Sequence, residues 1–415
     1  MGQAERINLP KANKPTANTP AIAFIFVTIF LDLLGLGILL PVIPFLVAQF
    51  DQAALTVGLL ALSYAAAQFA AAPVLGKLSD RYGRRPILLI SVLGTGLSNV
   101  LFGLATTLWL LFVARLLDGI TGGNISVARA YIADVSTDQN RARNFGLIGA
   151  AFGVGLVVGP AVGGWLSQFS LQMPAFVAGG MSLVTAAFGF FVLPESLPAA
   201  KRQKAPITIG DLNPLKRVGS ALRRPILGQF LLANFALNFA FGGLNTNFAL
   251  FTFARFGLGP DQNGNLFAYI GVVTAFTQGL IIGVLAKRFN EDRLAFLSLW
   301  LLAAGYLGLA SAPNTGALYA ALALISVGGG IAIPTLTSAI SRQVSAQQQG
   351  AVLGAAQAID SLALIFGPVW AGITFDSLGT GAPYWTGAIW LVLGGLLVAN
   401  VLRKTKPRER LINLK

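Results

Sequence analysis

The feature that most constrains this chain is a series of twelve apolar stretches, each of about 20 residues or more. Segments of that length can cross a bilayer as helices, and backbone groups in lipid must be hydrogen-bonded within the segment. We therefore expect an all-α, multi-pass membrane protein. The predicted spans cover residues 21–48, 55–76, 86–106, 108–132, 144–167, 173–194, 225–252, 263–285, 294–312, 316–340, 349–372 and 383–402.

The basic residues indicate how these spans are oriented. With a cytoplasmic N-terminus, 26 of the 29 Lys and Arg residues fall in the two tails and in the loops on the cytoplasmic side. Such an asymmetry is the usual marker of topology in membrane proteins. It predicts that both termini are cytoplasmic, and it accounts for the net charge of +14 without a nucleic-acid partner.

The chain reads as two related halves. Short matches recur at separations of 207 to 209 residues: Gly76-Lys77-Leu78 with Gly283-Val284-Leu285, Val135-Ser136 with Val344-Ser345, and Gly159-Pro160 with Gly367-Pro368. Parallel repeats with a site between them are one known transporter plan. The predicted division is a cytoplasmic tail (1–20), a six-helix bundle (21–194), a cytoplasmic linker (195–224), a second six-helix bundle (225–402) and a basic tail (403–415).

Two residue types are missing from the sequence, Cys and His. Disulfides, thiolate metal sites, histidine ligands and a Ser-His-Asp triad are therefore impossible. A phosphate-binding loop of the G-x-x-x-x-G-K type is also lacking. We expect no enzyme activity, no metal and no cofactor, and any transport would draw its energy from an ion gradient.

Four charged residues lie deep inside the predicted spans: Asp32, Arg115, Asp118 and Asp360. Intramembrane charges are costly and mark functional sites by default. Asp32 and Asp360 lie roughly 18 and 16 Å from the cytoplasmic surface, and Asp118 roughly 24 Å from Asp134, at 1.5 Å per helical residue. All three carboxylates fit the middle third of the bilayer. Arg129, nearer the end of its span, can extend its charge to the surface and is interpreted as structural.

These positions suggest proton coupling. Without His, a proton-coupled carrier must use carboxylates, and Arg115 shares a helix face with Asp118. Our hypothesis is that Asp32 or Asp118 exchanges a proton for substrate and that Arg115 adjusts its proton affinity. The alternative is a permanent structural pair of Arg115 with Asp118. Asp360 is either a second proton site or a group that binds cationic substrate.

Three segments resemble known transporters. The run from Gly76 to Pro86, Gly-Lys-Leu-Ser-Asp-Arg-Tyr-Gly-Arg-Arg-Pro, is similar to the signature loop of the major facilitator superfamily. The run from Gly155 to Gly164 resembles the span-5 motif of its drug–proton antiporters. Asp32, followed by Gly35, Gly37, Pro41 and Pro44, resembles span 1 of the tetracycline-resistance-type efflux proteins. The resemblance implies two pseudo-symmetric six-helix bundles in the major facilitator fold.

The signature loop carries the charges of a predicted cytoplasmic latch. Gly76 and Gly83 permit a close approach and a tight turn, Asp80 can accept hydrogen bonds, and three arginines can pair with Asp134. Those arginines are Arg81, Arg84 and Arg85. The resemblance implies that this latch holds one conformation and breaks in another, whereas the alternative is topology and headgroup contact alone. Lys287 replaces Asp80 in the second half, which predicts a weaker latch there.

Small residues repeat along the fifth span. Gly155, Gly159 and Gly163 recur every four residues, Gly164 follows, and Pro160 interrupts the helical hydrogen bonding. The resemblance implies a bendable helix between the halves that prevents ion leak. Tight packing alone is the alternative.

Polar side chains inside the spans are candidates for substrate contact. In span 7, three amides lie within about 40° on a helical wheel: Asn234, Asn238 and Asn245. The other candidates are Tyr64, Gln68, Asn124 and Gln278. Hydrogen bonding between helices is the alternative role. Tetracycline carriers have a His in span 8 and an Asp in span 9, and here those positions hold Thr274 and Leu302, which argues against tetracycline as cargo.

The leading hypothesis is a secondary active transporter that exports a small amphipathic organic compound or drug in exchange for protons by alternating access. One alternative is a carrier of a specific metabolite such as a sugar, and a non-transporting receptor or scaffold is another. Coupling to sodium stays open. The expected partners are a small-molecule substrate, protons and the lipid bilayer, and we expect a monomer in a bacterial inner membrane.

Overall fold

The structure is a computed structural model that describes residues 19–137, 140–203 and 216–412. Within these ranges all regular secondary structure is helical. Most of the predicted N-terminal tail, the centre of the predicted linker and the last three residues lie outside the described ranges. The α-helices are α1 (Thr19–Leu39), α2 (Ile43–Ala48), α3 (Ala54–Tyr82), α4 (Arg84–Gly103), α5 (Leu108–Thr121), α6 (Asn124–Val135), α7 (Arg141–Ser167), α8 (Met173–Val192), α9 (Lys216–Leu222), α10 (Pro225–Phe256), α11 (Pro260–Phe276), α12 (Ile282–Arg288), α13 (Glu291–Ser311), α14 (Thr315–Arg342), α15 (Ala346–Leu378) and α16 (Ala382–Ile412).

Three predicted spans are interrupted. The first divides into α1 and α2 around Pro41, because proline cannot donate the backbone hydrogen bond that would continue the helix. The fourth divides into α5 and α6 at Gly122 and Gly123, because the backbone of these two glycines departs from α-helical geometry. In the eighth, a π-helical turn at Thr277–Ile281 separates α11 from α12.

Within the described residues, ten helical segments are long and apolar enough to cross a bilayer, with α5–α6 and α11–α12 each taken as one segment. Shorter apolar helices cover Phe24–Leu39 and Gly153–Ser167. The prediction of an all-α membrane protein is thus confirmed. Twelve crossings and cytoplasmic termini stay predictions.

The buried residues fall into separate cores. Three apolar clusters draw their buried members from residues 24–193, and a larger one from residues 218–401. We call α1–α8 the N-terminal half and α9–α16 the C-terminal half. The "basic end" of the molecule is the end where α3 finishes and α15 begins, and the "far end" is the other.

The halves meet along two seams of small residues. In the α3–α15 seam, a Cβ on Gly58 would lie 2.5 Å from the Pro368 carbonyl oxygen, and one on Gly372 would lie 2.6 Å from Leu55 Cα. In the α7–α11 seam, a Cβ on Gly264 would lie 2.5 Å from the Pro160 carbonyl oxygen. Backbone therefore touches backbone across both seams, as small residues permit in membranes.

A carboxylate joins the halves at the far end. Asp376, near the end of α15, accepts hydrogen bonds from the N–H groups of Ala54 and Leu55, each at 2.9 Å. These belong to the first turn of α3, whose N–H groups have no partner within the helix and carry the positive end of its dipole. Asp376 therefore caps a helix of the other half.

We expect Asp376→Asn to open the far end more often, because losing the charge–dipole attraction weakens the cap by about 1 kcal/mol. The chain has no cysteine, so Ile43→Cys in the cavity wall supplies a single thiol reporter. A membrane-impermeant maleimide should react with it roughly fivefold faster in the Asp376→Asn background.

Asp51→Asn is the matched control. Asp51 also lies at the start of α3, where it accepts hydrogen bonds from the Ala53 N–H group and the Thr56 hydroxyl, but it belongs to the same half. Equal labelling rates in Asp376→Asn and in the parent would contradict the expected role of this cap.

Candidate functional site

A central cavity of about 410 Å³ lies between the halves. The N-terminal half supplies all of its charged lining residues in the described chain. Polar and charged lining residues of that half are Asp32, Tyr64, Gln68, Thr95, Asn99, Arg115, Asp118 and Ser182. The C-terminal half contributes Gly242, Asn245, Thr246, Gln357, Leu364 and Pro368.

The charged group in the wall is built on α1 and α5. Arg115 Nη1 lies 3.1 Å from Asp118 Oδ2, with the two side chains 5% and 9% exposed. Asp32 is close enough for the Asp118 charge to act on it, and Asn124 lies beside the Asp32 carboxylate. The Asp32 and Asp118 carboxyl groups and the Arg115 guanidinium therefore form one cluster.

Arg115 has spare hydrogen-bonding capacity. Its guanidinium carbon lies 4.3 Å from the centre of the Phe102 ring and 5.9 Å from that of Tyr64. Its Nε and Nη2 atoms are buried, and no described residue accepts a hydrogen bond from them. A guanidinium held in this way has the capacity to bind a second acceptor, because two of its nitrogen donors are unused.

The cavity continues towards the basic end. A second space of about 470 Å³ shares Ala65, Gln68, Gly122, Ile125, Gln357 and Leu364 with the cavity and extends past Pro73, Gly76, Arg129 and Gly354. At the far end, the seams and the Asp376 cap close the molecule. The central cavity is therefore open at the basic end of the molecule and closed at the far end.

Asp360 lies apart from the cavity lining. Its Oδ1 atom accepts hydrogen bonds from Nδ2 of Asn234 and, at 3.0 Å, from Nδ2 of Asn238. The three span-7 amides thus divide into two groups. Asn245 is about 10 Å further along α10 at 1.5 Å per residue, and it alone of the three faces the cavity.

The remaining substrate candidates also separate. Tyr64 and Gln68 line the cavity together, and Gln68 Nε2 donates to the Tyr64 hydroxyl at 3.1 Å. Asn124 is buried beside Asp32. Gln278 is exposed in the π-helical turn and does not line the cavity.

Several lining residues escaped the sequence prediction. Thr95 and Asn99 are spaced four residues apart in α4, so they share a helix face, and that spacing within an apolar span could have revealed them. Gln357 was hidden because residues 346–361 carry several polar side chains of which few face the cavity.

The signature loop forms an ion-pair network at the basic end. Arg84 Nη1 lies 2.6 Å from Asp80 Oδ1, and Arg84 Nε lies 3.1 Å from Asp134 Oδ2. Glu195 caps α4 by accepting the backbone N–H groups of Arg84 and Arg85. Gly83 has φ of +108°, and a Cβ there would overlap the Glu195 carboxylate, so this turn requires glycine.

Only part of the predicted latch contacts is formed. Arg84 is the arginine of the loop that reaches Asp134, whereas Arg81 lies over the Tyr82 ring and Arg85 donates to the Phe190 carbonyl. Gly76 does not provide close helix packing, because a Cβ there would meet open space beside the cavity.

The C-terminal half has a counterpart of this network with the charges exchanged. Arg342 Nη2 lies 2.7 Å from Asp292 Oδ1 and 3.2 Å from Glu291 Oε2. Asp292 and Arg342 are each 208 positions after Arg84 and Asp134. The expectation of a weaker second latch, based on Lys287, overlooked this pair because the residue types had swapped.

The glycines of α7 serve two contacts. Cβ atoms on Gly155 and Gly159 would lie 3.0 Å from Leu33 Cβ and 2.8 Å from Gly37 Cα, so these glycines pack against α1, while Gly163 meets the Ile38 carbonyl there. Gly164 faces the other half, since its Cβ would lie 2.9 Å from Gly264 Cα in α11. The stripe therefore holds α1 within one half and α11 across the seam.

We expect Gly163→Ala to destabilise the protein by about 1–3 kcal/mol, because the added methyl group overlaps backbone that cannot move alone. Gly153→Ala is the control, since a Cβ there meets open space in the same helix. Thermal unfolding in detergent should show a lower midpoint for Gly163→Ala only. Identical midpoints would contradict the packing argument.

Comparison with known proteins agrees with this architecture. The sequence model of the Major Facilitator Superfamily matches residues 25–280 and 230–414. The chain belongs to the major facilitator superfamily. Tetracycline resistance protein, class C, of Escherichia coli is 34% identical over 90% of this chain and 93% of its own. Multidrug resistance protein 2 of Bacillus subtilis (strain 168) is 29% identical over 88% and 91%.

A solved structure is similar as well. The human organic anion transporter MFSD10 (TETRAN) has a TM-score of 0.69 and 26% identity, over 92% of this chain and 99% of that one. The resemblance to drug-efflux proteins of the superfamily is thereby confirmed. This superfamily member is a multi-pass membrane transporter rather than an enzyme.

The two positions used in the sequence argument on tetracycline are Thr274 and Leu302. Leu302 is fully buried in the core of the C-terminal half, where a Cβ on Gly328 would lie 2.7 Å from Leu302 Cγ. Neither Leu302 nor Thr274 lines the central cavity. An acidic group at position 302 would therefore be buried against apolar neighbours.

Proposed function

We propose that the protein exports a small amphipathic organic compound across a bacterial inner membrane in exchange for protons. The observation that carries this proposal is the Asp32–Arg115–Asp118 cluster in the wall of a cavity between the halves, in a chain without histidine. A scaffold or receptor has no need of charges placed there, whereas a proton-coupled carrier requires groups that gain and lose a proton.

We infer that proton and cargo are coupled by an exchange of the carboxylate partners of Arg115. When Asp32 is ionised, it competes with Asp118 for the free donors of Arg115, and when a proton binds, that competition ends. Cargo entering from the basic end would favour one charge state of the cluster, and release at the far end would favour the other. Proton and cargo then occupy the same cavity in alternation.

Alternating access supplies the movement. We propose that the six-helix bundles 21–194 and 225–402 rock about the α3–α15 and α7–α11 seams, which hold the far end closed in this state. With the basic end in the cytoplasm, this is the state that admits cargo from inside. The Arg84–Asp134 and Asp292–Arg342 pairs would rearrange as the basic end closes.

The other polar groups receive separate roles. Cargo contacts are assigned to Tyr64, Gln68, Asn245 and Gln357, whose side chains line the cavity. Asp360, held by two amides outside the lining, is a second proton site rather than a binding group. Relatives named for tetracycline resistance and organic anion transport point to drug-like cargo with polar and apolar parts.

The test is proton movement in liposomes that contain the purified protein and a pH-sensitive dye. Under an imposed proton gradient, tetracyclines, lipophilic cations, organic anions and sugars are added separately. We expect a drug-like compound to trigger proton flux, and Asp32→Asn to reduce that flux to the level of empty liposomes. Asp261→Asn, at the far end and outside the cavity, is the control carboxylate.

Three results would change the proposal. Flux triggered only by sugars would indicate a metabolite carrier. Flux that follows a sodium gradient in place of a proton gradient would change the coupling ion. Wild-type flux in Asp32→Asn would remove Asp32 from the coupling mechanism.

A further inference from the structure

A second concave surface lies outside the transport cavity, on the outer face of the N-terminal half near the basic end. It encloses about 680 Å³ between α4 and α8. We call it the α4–α8 groove. Its floor and walls are apolar, formed mainly by Leu89, Ile90, Leu93, Leu183, Ala186 and Phe190. Ile90 and Phe190 are 59% and 62% exposed, on helices apolar enough to cross a bilayer, so this surface faces lipid.

The groove ends at an arginine that has no acidic partner. Arg85 forms no ion pair within the described chain, and its buried Nε atom has no acceptor there. One guanidinium N–H group donates to the Phe190 carbonyl, and the guanidinium lies 5.7 Å from the centre of the Phe190 ring. This contact fixes the side chain at the mouth of the groove without neutralising its charge.

A second arginine adds to the positive charge. Arg202 also lines the groove, and its pairing with Glu195 is long, at 3.7 Å. The Glu195 carboxylate is already engaged by the backbone N–H groups of Arg84, Arg85 and Leu197. The mouth of the groove therefore holds two guanidinium groups against one carboxylate, with the exposed Tyr82 hydroxyl beside them.

We propose that the α4–α8 groove binds one anionic phospholipid of the surrounding bilayer, with an acyl chain along the apolar walls and the phosphate at Arg85 and Arg202. An apolar channel that ends in a guanidinium cluster at headgroup level matches the two parts of such a lipid. Arginine presents N–H donors to phosphate oxygens, and Arg85 and Arg202 place two guanidinium groups at the headgroup end of the groove.

The site adjoins the signature loop. Arg85 follows Arg84 directly, and Glu195 contacts the backbone N–H groups of both. A phosphate on Arg85 would therefore lie one residue from the Arg84–Asp80–Asp134 network. The lipid would then be bound specifically at the basic end and would differ from the bulk lipid around it.

Native mass spectrometry of the full chain tests this proposal. The protein is released from nanodiscs made of equal parts dioleoylphosphatidylglycerol and dioleoylphosphatidylcholine. We expect one phosphatidylglycerol to be retained about fivefold more often than phosphatidylcholine. Arg85→Gln should reduce that ratio to about one, while Arg81→Gln, which removes a nearby exposed charge outside the groove, should leave it unchanged.

A second pair of variants keeps both arginines. Ile90→Trp fills the groove and should lower retention of phosphatidylglycerol, whereas Val184→Trp, on a lipid-facing position of α8 outside the groove, should not. This pair decides the outcome if Arg85→Gln does not fold.

Equal retention of the two lipids by the wild type would overturn the proposal. Equal losses in Arg85→Gln and Arg81→Gln would also overturn it, because they would indicate general attraction to positive charge. A protein dimer that is lost in Ile90→Trp, without selective lipid, would assign the groove to a second copy of the chain.

Discussion

Arg115→Gln, with Asp118 unchanged, is expected to lower the free energy of unfolding by about 3–5 kcal/mol, because it leaves a buried carboxylate without its partner. The two side chains are 5% and 9% exposed and lie 3.1 Å apart, so water cannot replace the lost interaction. Proton-coupled transport should fall to background in the same variant. Chemical denaturation in detergent and dye-loaded liposomes measure the two effects.

The double variant Arg115→Gln, Asp118→Asn separates the two hypotheses for this pair. Removing both charges leaves no unpaired ion, so stability should recover towards that of the wild type. If the pair only holds the helices together, transport should recover with it. We expect transport to stay at background, because Asp32 then has no Arg115 charge to compete for and its protonation no longer changes the cluster.

The double variant thus provides the decisive readout for the role of the pair. Recovery of both stability and coupling would show that the Arg115–Asp118 pair is structural and that Asp32 or Asp360 couples protons without it. Arg129→Gln is the control for a charge removed from α6, away from the Asp118 carboxylate.

Gly58→Leu should reduce turnover by at least roughly tenfold while the protein stays folded. A Cβ at this position would lie 2.5 Å from the Pro368 carbonyl oxygen across the α3–α15 seam, so a leucine side chain would force the halves apart at the far end. Overpacking of this kind disfavours the closed arrangement by about 1–3 kcal/mol or more. Each half keeps its own core, so unfolding is not expected.

Two measurements test the effect of the leucine side chain at position 58. The single thiol at Ile43→Cys should become accessible to an impermeant maleimide from the far end, and transport should drop by at least roughly tenfold. Gly283→Leu is the control, because a Cβ there meets open space. Normal transport by Gly58→Leu would mean that the seam does not need to close.

The fold could be predicted from the sequence because its cause is simple. Apolar stretches of bilayer length must be helical, and this chain has few alternatives at 55% apolar residues. The breaks were harder to place. Pro41 ends α1 as expected for proline, but the π-helical turn at Thr277–Ile281 has no sequence signal of its own.

The candidate site was only partly predictable. Asp32, Arg115 and Asp118 were found because a charge in an apolar span is conspicuous. The helical wheel placed Asn234, Asn238 and Asn245 on one side of α10 but gave no information about depth, so it could not tell the Asp360 contacts from the cavity.

Contacts between distant helices were beyond the sequence argument. Asp376 and α3 are more than 300 positions apart, and a carboxylate near the end of an apolar span resembles an ordinary loop charge. The exchanged pair of Asp292 with Arg342 was missed because a search for identical residues cannot detect an interaction conserved with reversed signs.

The uneven cavity walls have a consequence for how resistance can evolve. Every described charged lining group belongs to one half, and the other half presents amides, a hydroxyl group and apolar surface to the same space. Selection for a new compound can therefore act on the C-terminal wall, at positions such as Asn245 and Gln357, while the cluster proposed to couple protons stays intact. A broadened drug range would then arise by a few substitutions on one side, with no loss of pumping against a gradient.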